Sequence, residues 1–462
     1  MTPLPVRVFS CTFVCLAVLL LSPNPAAAVE PSLPQPALVA DINPDGDSWP
    51  VMPAVIGDEL YFIADNGKNE QWFHTSGQIA VQASDVYSTT TGLGCRNPDP
   101  TLFPIQQGDY VLFPVRLGDT CQAKEMWSTT GTAASSRLVK RFDGSILAWA
   151  SIGDRAYILV NVADGTELWQ SDGTSSGTTL VKDDFRFVAA LPQVMDGSFY
   201  LIAGAKDSGT TQYLWQIKPS GVTQMEAVSM MNTWHVYNHA LYISAGAGEV
   251  RRLAAGRDSS ASFREGELSS IVRMQTVGDR LYFMELSGGG VTRKETWWRY
   301  DGATDTLERI GQWRRTAGWT RFGDSDYFAA YSLDEPEPEG SALLRLPLTS
   351  TTPLSISPAF TFTGTNGIGS IATDGSRLYL HVNPCFSDCS KPIELWVSDG
   401  SAAGTYRLVD MAQFADCPCI VAAGGRVYFN RKTPETGAEL WTISQQQGDT
   451  WLYLPQIRRS QQ

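Results

Sequence analysis

Four oxygen-bearing side chains near the start of the chain have the spacing of a calcium loop. The segment DINPDGD (41–47) places acidic and amide side chains at alternate positions: Asp41, Asn43, Asp45 and Asp47. Carboxylate and amide oxygens at this spacing are the ligands of EF-hand loops. The twelfth position is Met52, so the bidentate acid of such a loop is missing. Calcium as a bound cofactor and a plain turn are both open hypotheses for this segment.

Cysteine thiols form the second group with chemical potential. Two of the eight cysteines lie in an N-terminal leader, and six follow it: Cys95, Cys121, Cys385, Cys389, Cys417 and Cys419. An even number of cysteines in an exported chain favours disulfides. The alternative is a four-thiolate zinc site built from CFSDC (385–389) and CPC (417–419).

Signs of catalysis are sparse. The chain has four histidines, His74, His235, His239 and His381, and none belongs to an HExxH motif. The sequence also lacks a Walker loop and a dinucleotide-binding glycine pattern. Carboxylates from distant segments could still meet in the fold. We therefore predict no catalytic residue and favour a protein without enzymatic activity.

Composition and charge limit the class of protein and its partners. Of 462 residues, 43% are hydrophobic and 18% charged, which is typical of a globular chain that buries a sizeable core. The formal net charge of −13 makes nucleic acids and anionic membrane surfaces poor partners, because both bind clustered Lys and Arg.

The first 28 residues have the features of a cleaved signal peptide. Arg7 supplies a positive start, 11–22 is almost wholly apolar, and 26–28 offers small residues for cleavage. The apolar stretch is shorter than the roughly 20 residues that span a bilayer, and nothing later resembles a transmembrane helix. The sequence predicts a secreted or periplasmic protein.

A repeat of about 46 residues runs through the rest of the chain. Its first half is a tight turn followed by an aromatic strand, and eight of its nine copies carry tyrosine at the fifth position, here called the tyrosine slot. The copies are GDELYF (57–62), GDYVLF (108–113), GDRAYI (153–158), DGSFYL (196–201), NHALYI (238–243), GDRLYF (278–283), GDSDYF (323–328), GSRLYL (375–380) and GGRVYF (424–429).

The second half of the repeat is a tryptophan strand. Seven copies carry the indole and two carry Arg251 or Leu344 instead; the seven are Trp72, Trp127, Trp169, Trp215, Trp298, Trp396 and Trp441. Four short strands per repeat predict an all-β fold: a single β-propeller of eight or nine four-stranded blades over residues 29–462. We expect the tyrosines and tryptophans to pack between blades.

The second half also resembles a known family. The pattern ELWxSDGTxxGTxLVKD, seen at 167–183 and 394–410 and more weakly at 125–140, is similar to the bacterial ELWxxDGT-repeat proteins. The resemblance covers residues 38 to about 455 and implies a secreted, propeller-like protein without an activity to carry over. LVADINPDGDSWP (38–50) resembles the end of such a repeat. We therefore expect the first strand to complete the last blade, a place for which Thr450–Leu454 competes.

One face of the predicted propeller carries the longer loops. In each blade, the loop between the second and third strands and the link to the next blade emerge on the same face. All six cysteines fall there, which allows Cys95 to pair with Cys121 and the 385/389 pair to bridge the 417/419 pair. An acidic loop on this face is either solvated or a site for a cation or a basic partner; it carries Asp334, Glu335, Glu337 and Glu339.

Loops on a rigid scaffold often carry function. The sequence therefore favours a binding module that recognises an extracellular protein or glycan through this face. Two alternatives stay open: a propeller-type polysaccharide lyase or hydrolase, and a calcium-dependent adhesion or envelope-structure protein.

The calcium hypothesis makes a direct prediction. If residues 41–47 bind calcium, a chelator lowers the melting temperature, because a ligand that binds only the folded state stabilises it. Asp41→Ala should then weaken calcium affinity in a titration. Unchanged affinity in this variant would remove the hypothesis.

Overall fold

The computed structural model describes residues 34–77, 79–86, 102–116, 122–207, 209–229, 231–245, 248–289, 292–333, 341–356, 367–383, 392–412 and 420–444. The leader lies outside these ranges. The described chain is almost entirely β-strand, with one short 3-10 helix at Ala133–Ser135. Turns rich in Gly and Asp separate the strands; Gly57, Gly153 and Gly278 have a positive φ near 60°, a region that glycine enters without steric cost.

Numbered in chain order, the strands are β1 (Ala37–Ala40), β2 (Val51–Ile56), β3 (Glu59–Asp65), β4 (Glu70–Thr75), β5 (Val81–Gln82), β6 (Ile105–Gln107), β7 (Tyr110–Arg116), β8 (Ala123–Thr129), β9 (Arg137–Arg141), β10 (Ser145–Ile152), β11 (Arg155–Val162), β12 (Gly165–Ser171), β13 (Thr179–Met195), β14 (Ser198–Ala205), β15 (Gln212–Lys218), β16 (Gly221–Val228), β17 (Met231–Tyr237), β18 (Ala240–Ala245), β19 (Glu249–Ala254), β20 (Ala261–Ser262), β21 (Ile271–Val277), β22 (Arg280–Ser287), β23 (Lys294–Asp301), β24 (Thr306–Trp313), β25 (Arg315–Phe322), β26 (Ser325–Tyr331), β27 (Ala342–Pro347), β28 (Leu354–Ser355), β29 (Gly367–Thr373), β30 (Leu378–Asn383), β31 (Ile393–Ser398), β32 (Tyr406–Met411), β33 (Ile420–Ala423), β34 (Arg426–Thr433) and β35 (Gly437–Ser444).

These strands form nine antiparallel four-stranded blades across the described residues. Seven blades are separate sheets, and two share a seven-stranded sheet, β10 to β16. In that sheet β13 is long enough to serve as the outer strand of the third blade and the inner strand of the fourth. The predicted all-β propeller of eight or nine blades is confirmed, with nine as the number.

The first strand completes the ninth blade. β1 pairs with β35, outside β34 and β33, in a single sheet. The ninth blade also packs on the first, since Tyr428 and Leu440 share an apolar cluster with Leu60 and Phe62. The expected role of the N-terminal strand is therefore confirmed, whereas its competitor Thr450–Leu454 lies outside the described residues.

The two aromatic positions of the repeat face opposite neighbours. Successive residues of a strand point to opposite faces of the sheet, and the tyrosine slot faces the following blade: Tyr157 packs against the fourth blade and Tyr282 against the seventh. The tryptophan position faces the preceding blade, as Trp169 and Trp396 do. Each apolar face is thus buried only by a neighbour.

The first blade departs from the predicted pattern. Its register places Phe73, not Trp72, opposite Phe62, whereas the equivalent partner in the second blade is Trp127, opposite Phe113. The assignment of Trp72 to the tryptophan position was therefore wrong by one residue. Trp72 instead points to the second blade, because a shift of one residue along a strand changes the face. The expected Arg251 and Leu344 substitutions are confirmed by register.

Contacts between side chains explain the rest of the repeat motif. In ELW of the third blade, the Trp169 indole donates to the Glu167 carboxylate at 2.8 Å, two residues away on the same face. The Asp172 carboxylate accepts from the Thr174 backbone and hydroxyl at 2.9 and 2.7 Å, which fixes the DGT turn. The Lys140 ammonium, from the preceding blade, lies 4.2 Å from the Trp169 ring centroid.

The contact between the ninth and first blades can be tested at Phe62. Its side chain is fully buried, so Phe62→Ala should lower the free energy of unfolding by about 3–5 kcal/mol, because the cavity forfeits both burial and packing. Urea denaturation measures this change. The control, Leu138→Ala on β9, removes a side chain that is 40% exposed and should cost about 1 kcal/mol or less. Equal losses in the two variants would contradict the contact.

Candidate functional site

Antiparallel blades give the propeller two faces. The turns between first and second strands and between third and fourth strands lie at one face, here called the turn face. The second-to-third loops and the links between blades lie at the opposite face, here called the loop face. Residues 41–50 link β1 to β2 and therefore belong to the loop face.

The predicted calcium segment makes contacts with the ninth blade. Asp47 accepts from the Ala438 backbone N–H at 2.8 Å and from the Lys432 ammonium at 2.6 Å. Asn43 is buried and donates through its amide to the Asp47 carbonyl at 3.2 Å. Asp41 and Asp45 are exposed. Two of the four side chains thus hold the first link in place, and calcium binding stays a prediction.

The other residues singled out on the loop face cannot be placed. The acidic loop, with Asp334, Glu335, Glu337 and Glu339, lies outside the described residues. So do all six cysteines of the predicted disulfides, namely Cys95, Cys121, Cys385, Cys389, Cys417 and Cys419. Among the residues that the structure does describe, no three His, Cys, Asp or Glu side chains are grouped to hold a metal ion.

The histidines lie on three different blades. His74, in the first blade, contacts Glu59 at 3.1 Å and the Gly131 carbonyl at 2.9 Å. His239 contacts Asp196 at 2.6 Å, and His235 contacts the Thr276 hydroxyl at 2.9 Å. Each of these three joins one blade to its neighbour. His381 is partly buried in the eighth blade, and this burial lowers its pKa to about 4.

A cleft of about 440 Å³ opens on the turn face between the fifth and sixth blades. Its walls are the end of β17, the turn between β21 and β22, and the turn after β23. The lining is Val236, Tyr237, Asn238, Thr276, Gly278, Asp279, Arg280 and Ala303. The cleft therefore combines an amide, a hydroxyl, a carboxylate and a guanidinium with apolar surface.

Tyr237 fixes the floor of this cleft. Its hydroxyl donates to the Asp279 carbonyl at 2.8 Å and accepts from the Gly302 N–H at 3.0 Å. The exposed Asn238 follows it in the left-handed region, at φ 46°, which asparagine tolerates better than most residues. In the described part of the chain, the Asn238 amide has no hydrogen-bond partner, so it is available to a ligand.

An alternating chain of charges supports one wall. Arg280 lies between Asp279 and Asp301, at 2.5 and 2.9 Å. Arg321 of the seventh blade reaches back to Asp279 at 2.9 Å and holds the fully buried Asp326 at 2.5 Å. Two arginines thus face three aspartates, and the carboxylate of Asp279 joins the cleft to the next blade.

The fully buried Asp326 also contacts Tyr282, which occupies the tyrosine slot of the sixth blade. The Tyr282 hydroxyl donates to its second carboxylate oxygen. Burial, together with the neighbouring Asp326 charge, raises the pKa of the Tyr282 phenol, so the phenol stays a donor. For Asp279, burial opposes ionisation, but Arg321 and Arg280 outweigh it and hold its pKa below the ordinary value. The Asp279 carboxyl is therefore ionised at neutral pH and is oriented by two arginines.

The sequence contains one signal for this cluster, a departure from the repeat at a single position. In the turn-and-strand half of the repeat, the fourth residue is apolar in eight copies, as Leu60 and Leu281 are, and it is Asp326 in GDSDYF. A carboxylate in a buried column requires a charged partner, and Arg321 supplies it from the preceding strand. The cleft residues gave no comparable signal, because GDRLYF (278–283) fits the common turn pattern.

Comparisons with known proteins bear on the fold alone. No protein-family model matches the chain, and no curated protein matches it. Among solved structures, it is similar to a puromycin-hydrolyzing peptidase of Mycobacterium tuberculosis (12% identity over 78% of this chain and 63% of that one, TM-score 0.41). It is also similar to the dihydro-heme d1 dehydrogenase NirN (12%, 83% and 75%, TM-score 0.43) and the computationally designed protein Ika8 (12%, 74% and 95%, TM-score 0.39). The chain thus spans 63% of the length of the peptidase.

Removal of the Asp326 charge tests the support of the cleft. Asp326→Asn should lower the free energy of unfolding by about 2–4 kcal/mol, because Arg321 loses its buried counter-charge while remaining only 22% exposed. Chemical denaturation measures the loss. The matched control is Asp324→Asn, two residues away, whose carboxylate is 80% exposed and should contribute no measurable stability. A tolerated Asp326→Asn would show that the charge chain is not structural.

Proposed function

We propose that the protein is an exported binding propeller that takes an uncharged glycan in the cleft between its fifth and sixth blades. The observation that carries this proposal is the cleft itself, whose polar groups converge on one open space of about 440 Å³. Binding sites of this size are typically apolar clefts with a few placed polar groups. The propeller fold by itself does not indicate a ligand.

The chemistry of the lining favours a neutral polyol. Sugar hydroxyls both donate and accept, and the cleft offers the Asn238 amide, which does both. It also offers the Thr276 hydroxyl, which has lone pairs beyond its contact with His235. The charged side chains nearby are already paired, Arg280 with two aspartates and Asp279 with two arginines. An anionic ligand would have to compete with these carboxylates, whereas a neutral one needs only their spare lone pairs.

The same pairing favours recognition over hydrolysis. A glycosidase needs one carboxylic acid that stays protonated near neutral pH and a second, ionised carboxylate. Arginines hold the pKa of Asp279 low, and Asp301 pairs with Arg280 at 2.9 Å. The cleft acids therefore suit the orientation of a ligand better than proton transfer.

Export and the loop face belong to this proposal as predictions. The leader supports export, and within the described ranges no helix is long and apolar enough to cross a membrane. The loop face, with its acidic loop and cysteines, stays the predicted surface for an extracellular protein or a second glycan. The proposed cleft lies on the opposite face, so both surfaces can be engaged at once.

A glycan array with the purified protein tests the proposal. Thr276→Val removes a hydroxyl without changing shape, and Asn238→Gly removes the amide while keeping a residue that accepts positive φ. Each should weaken binding of an array hit about fivefold, since one hydrogen bond contributes about 1 kcal/mol. Isothermal titration measures the affinity.

The matched control is Ser151→Ala, which changes the equivalent position of the third blade; its hydroxyl donates to the Gln106 carbonyl at 2.8 Å. This variant should bind as the parent does. The proposal fails if the array returns no neutral glycan, or if all three variants bind equally. Release of reducing ends from a hit would instead support the hydrolase alternative.

A further inference from the structure

The link that joins the first strand to the first blade is held by one buried carboxylate. Glu439 of β35 is fully buried. Its carboxylate accepts from the Ile42 and Asn43 backbone N–H groups at 3.2 and 3.4 Å and contacts the Ser48 hydroxyl at 2.6 Å. This carboxylate therefore ties both ends of the link to the last blade; it is called the clasp below.

The clasp glutamate has the position of the motif glutamate in ELW but different partners. In the second and eighth blades, Glu125 and Glu394 accept from the indole two residues on, at 2.9 and 2.8 Å. In the ninth blade the described residues include no hydrogen-bond partner for the buried Trp441 indole N–H, because the carboxylate turns to the link. Glu439 therefore contacts the link between β1 and β2 instead of the indole of its own blade.

The clasp also lacks the counter-charge that its equivalents have. Arg141 pairs with Glu125, and Arg407 pairs with Glu394 at 2.9 Å. Within the described residues Glu439 forms no ion pair. Arg431, which is opposite it in register, places its guanidinium 4.6 Å from the Trp441 ring centroid instead.

The charged groups around the clasp do not replace a counter-ion. Lys432 of β34 pairs with Asp47 at 2.6 Å. On the link, Asp41 adds a like charge. The eighth blade's outer strand contributes Asp410, which pairs with Arg407. A buried, unpaired carboxylate is costly when ionised, and like charge adds to that cost.

Ser48 gives the clasp a partner in either protonation state. Its hydroxyl lies 2.6 Å from the Glu439 carboxyl and 3.1 Å from the Ala438 carbonyl. With Glu439 ionised, the hydroxyl donates to the carboxylate. With Glu439 protonated, the acid donates to the hydroxyl, which turns its own hydrogen to Ala438. The contact therefore persists in both states, but it is stronger with the ionised carboxylate, because charge-assisted hydrogen bonds are the stronger kind.

We propose that the closure of the propeller is proton-linked: Glu439 holds a proton when the first link is docked, and ionisation of Glu439 loosens the link and the first strand. The proposal is independent of the ligand in the cleft. It assigns to one motif residue a role that its equivalents in the second and eighth blades do not have.

The direction of the effect follows from the pKa. Burial raises the pKa of Glu439 to about 7 from the ordinary value of 4.5, against the effect of its three hydrogen bonds. The folded state therefore binds this proton more tightly than the unfolded state. The resulting stabilisation is complete below the ordinary pKa and is lost as the pH rises through about 7.

Glu439→Gln tests this linkage. In the parent protein, the unfolding equilibrium constant should rise by roughly one to two powers of ten between about pH 5 and about pH 8, and hydrogen exchange of residues 37–49 should speed up beyond its intrinsic pH dependence. In the variant, which stays neutral, the contribution of this site should vanish. Infrared difference spectra between the two pH values should lose a protonated carboxyl band in the variant.

The matched control is Glu125→Gln, which changes the equivalent but ion-paired residue of the second blade. It should lower stability without altering the pH slope or the exchange of residues 37–49. Ser48→Ala serves where Glu439→Gln does not fold: loss of the donor should move the pH transition upward. An unchanged transition in Ser48→Ala, or the same slope in the parent and Glu439→Gln, would overturn the proposal.

Discussion

The structure depends on one constraint: both faces of every blade are apolar, and only a neighbouring blade can bury them. In the sixth blade Tyr282 faces the following blade and Trp298 the preceding one, so a blade that carries both residues supplies one aromatic side chain to each of its interfaces. These interfaces follow one another along the chain. The terminal blades would expose one wall each, and the pairing of β1 with β35, with the packing of Phe62 on Tyr428, covers both.

Polar residues of the repeat motif make short-range contacts that allow the aromatic side chains to be buried between blades. The motif glutamate satisfies the indole N–H, and the motif lysine covers the indole of the next blade, as Lys140 covers Trp169. A buried polar atom without a partner is costly, and in the second, third and eighth blades the indole and its glutamate partner occur together. The result is one interface repeated around the propeller with small variations.

The candidate sites lie where this repetition breaks down. The fifth and seventh repeats lack the tryptophan, with Arg251 and Leu344 in its place. The Asp326 and Arg321 pair lies at the interface between the sixth and seventh blades. The cleft lies at the interface between the fifth and sixth blades. In the ninth blade the motif glutamate has left its indole for the first link. The cleft, the Asp326–Arg321 pair and the Glu439 contacts therefore all lie in or next to blades that depart from the repeat.

Much of the fold could be predicted from the sequence. Alternation along each strand and a recurring turn fix which side chains are buried, since both depend on neighbours a few residues apart. That was enough for the all-β propeller, for the first strand in the last blade, and for the Arg251 position. It was not enough for Trp72, because a one-residue shift in register reverses the face and only the partner strand decides it.

The sequence by itself determined the blades, and the tertiary structure decided which side chains from different blades meet. Arg321 and Asp279 are 42 residues apart, and Glu439 and Ile42 are 397 apart. No local spacing records such pairs, because they arise from the stacking of blades and the return of the chain to its start. The cleft and the clasp both consist of such contacts, so neither could be read from the repeat alone.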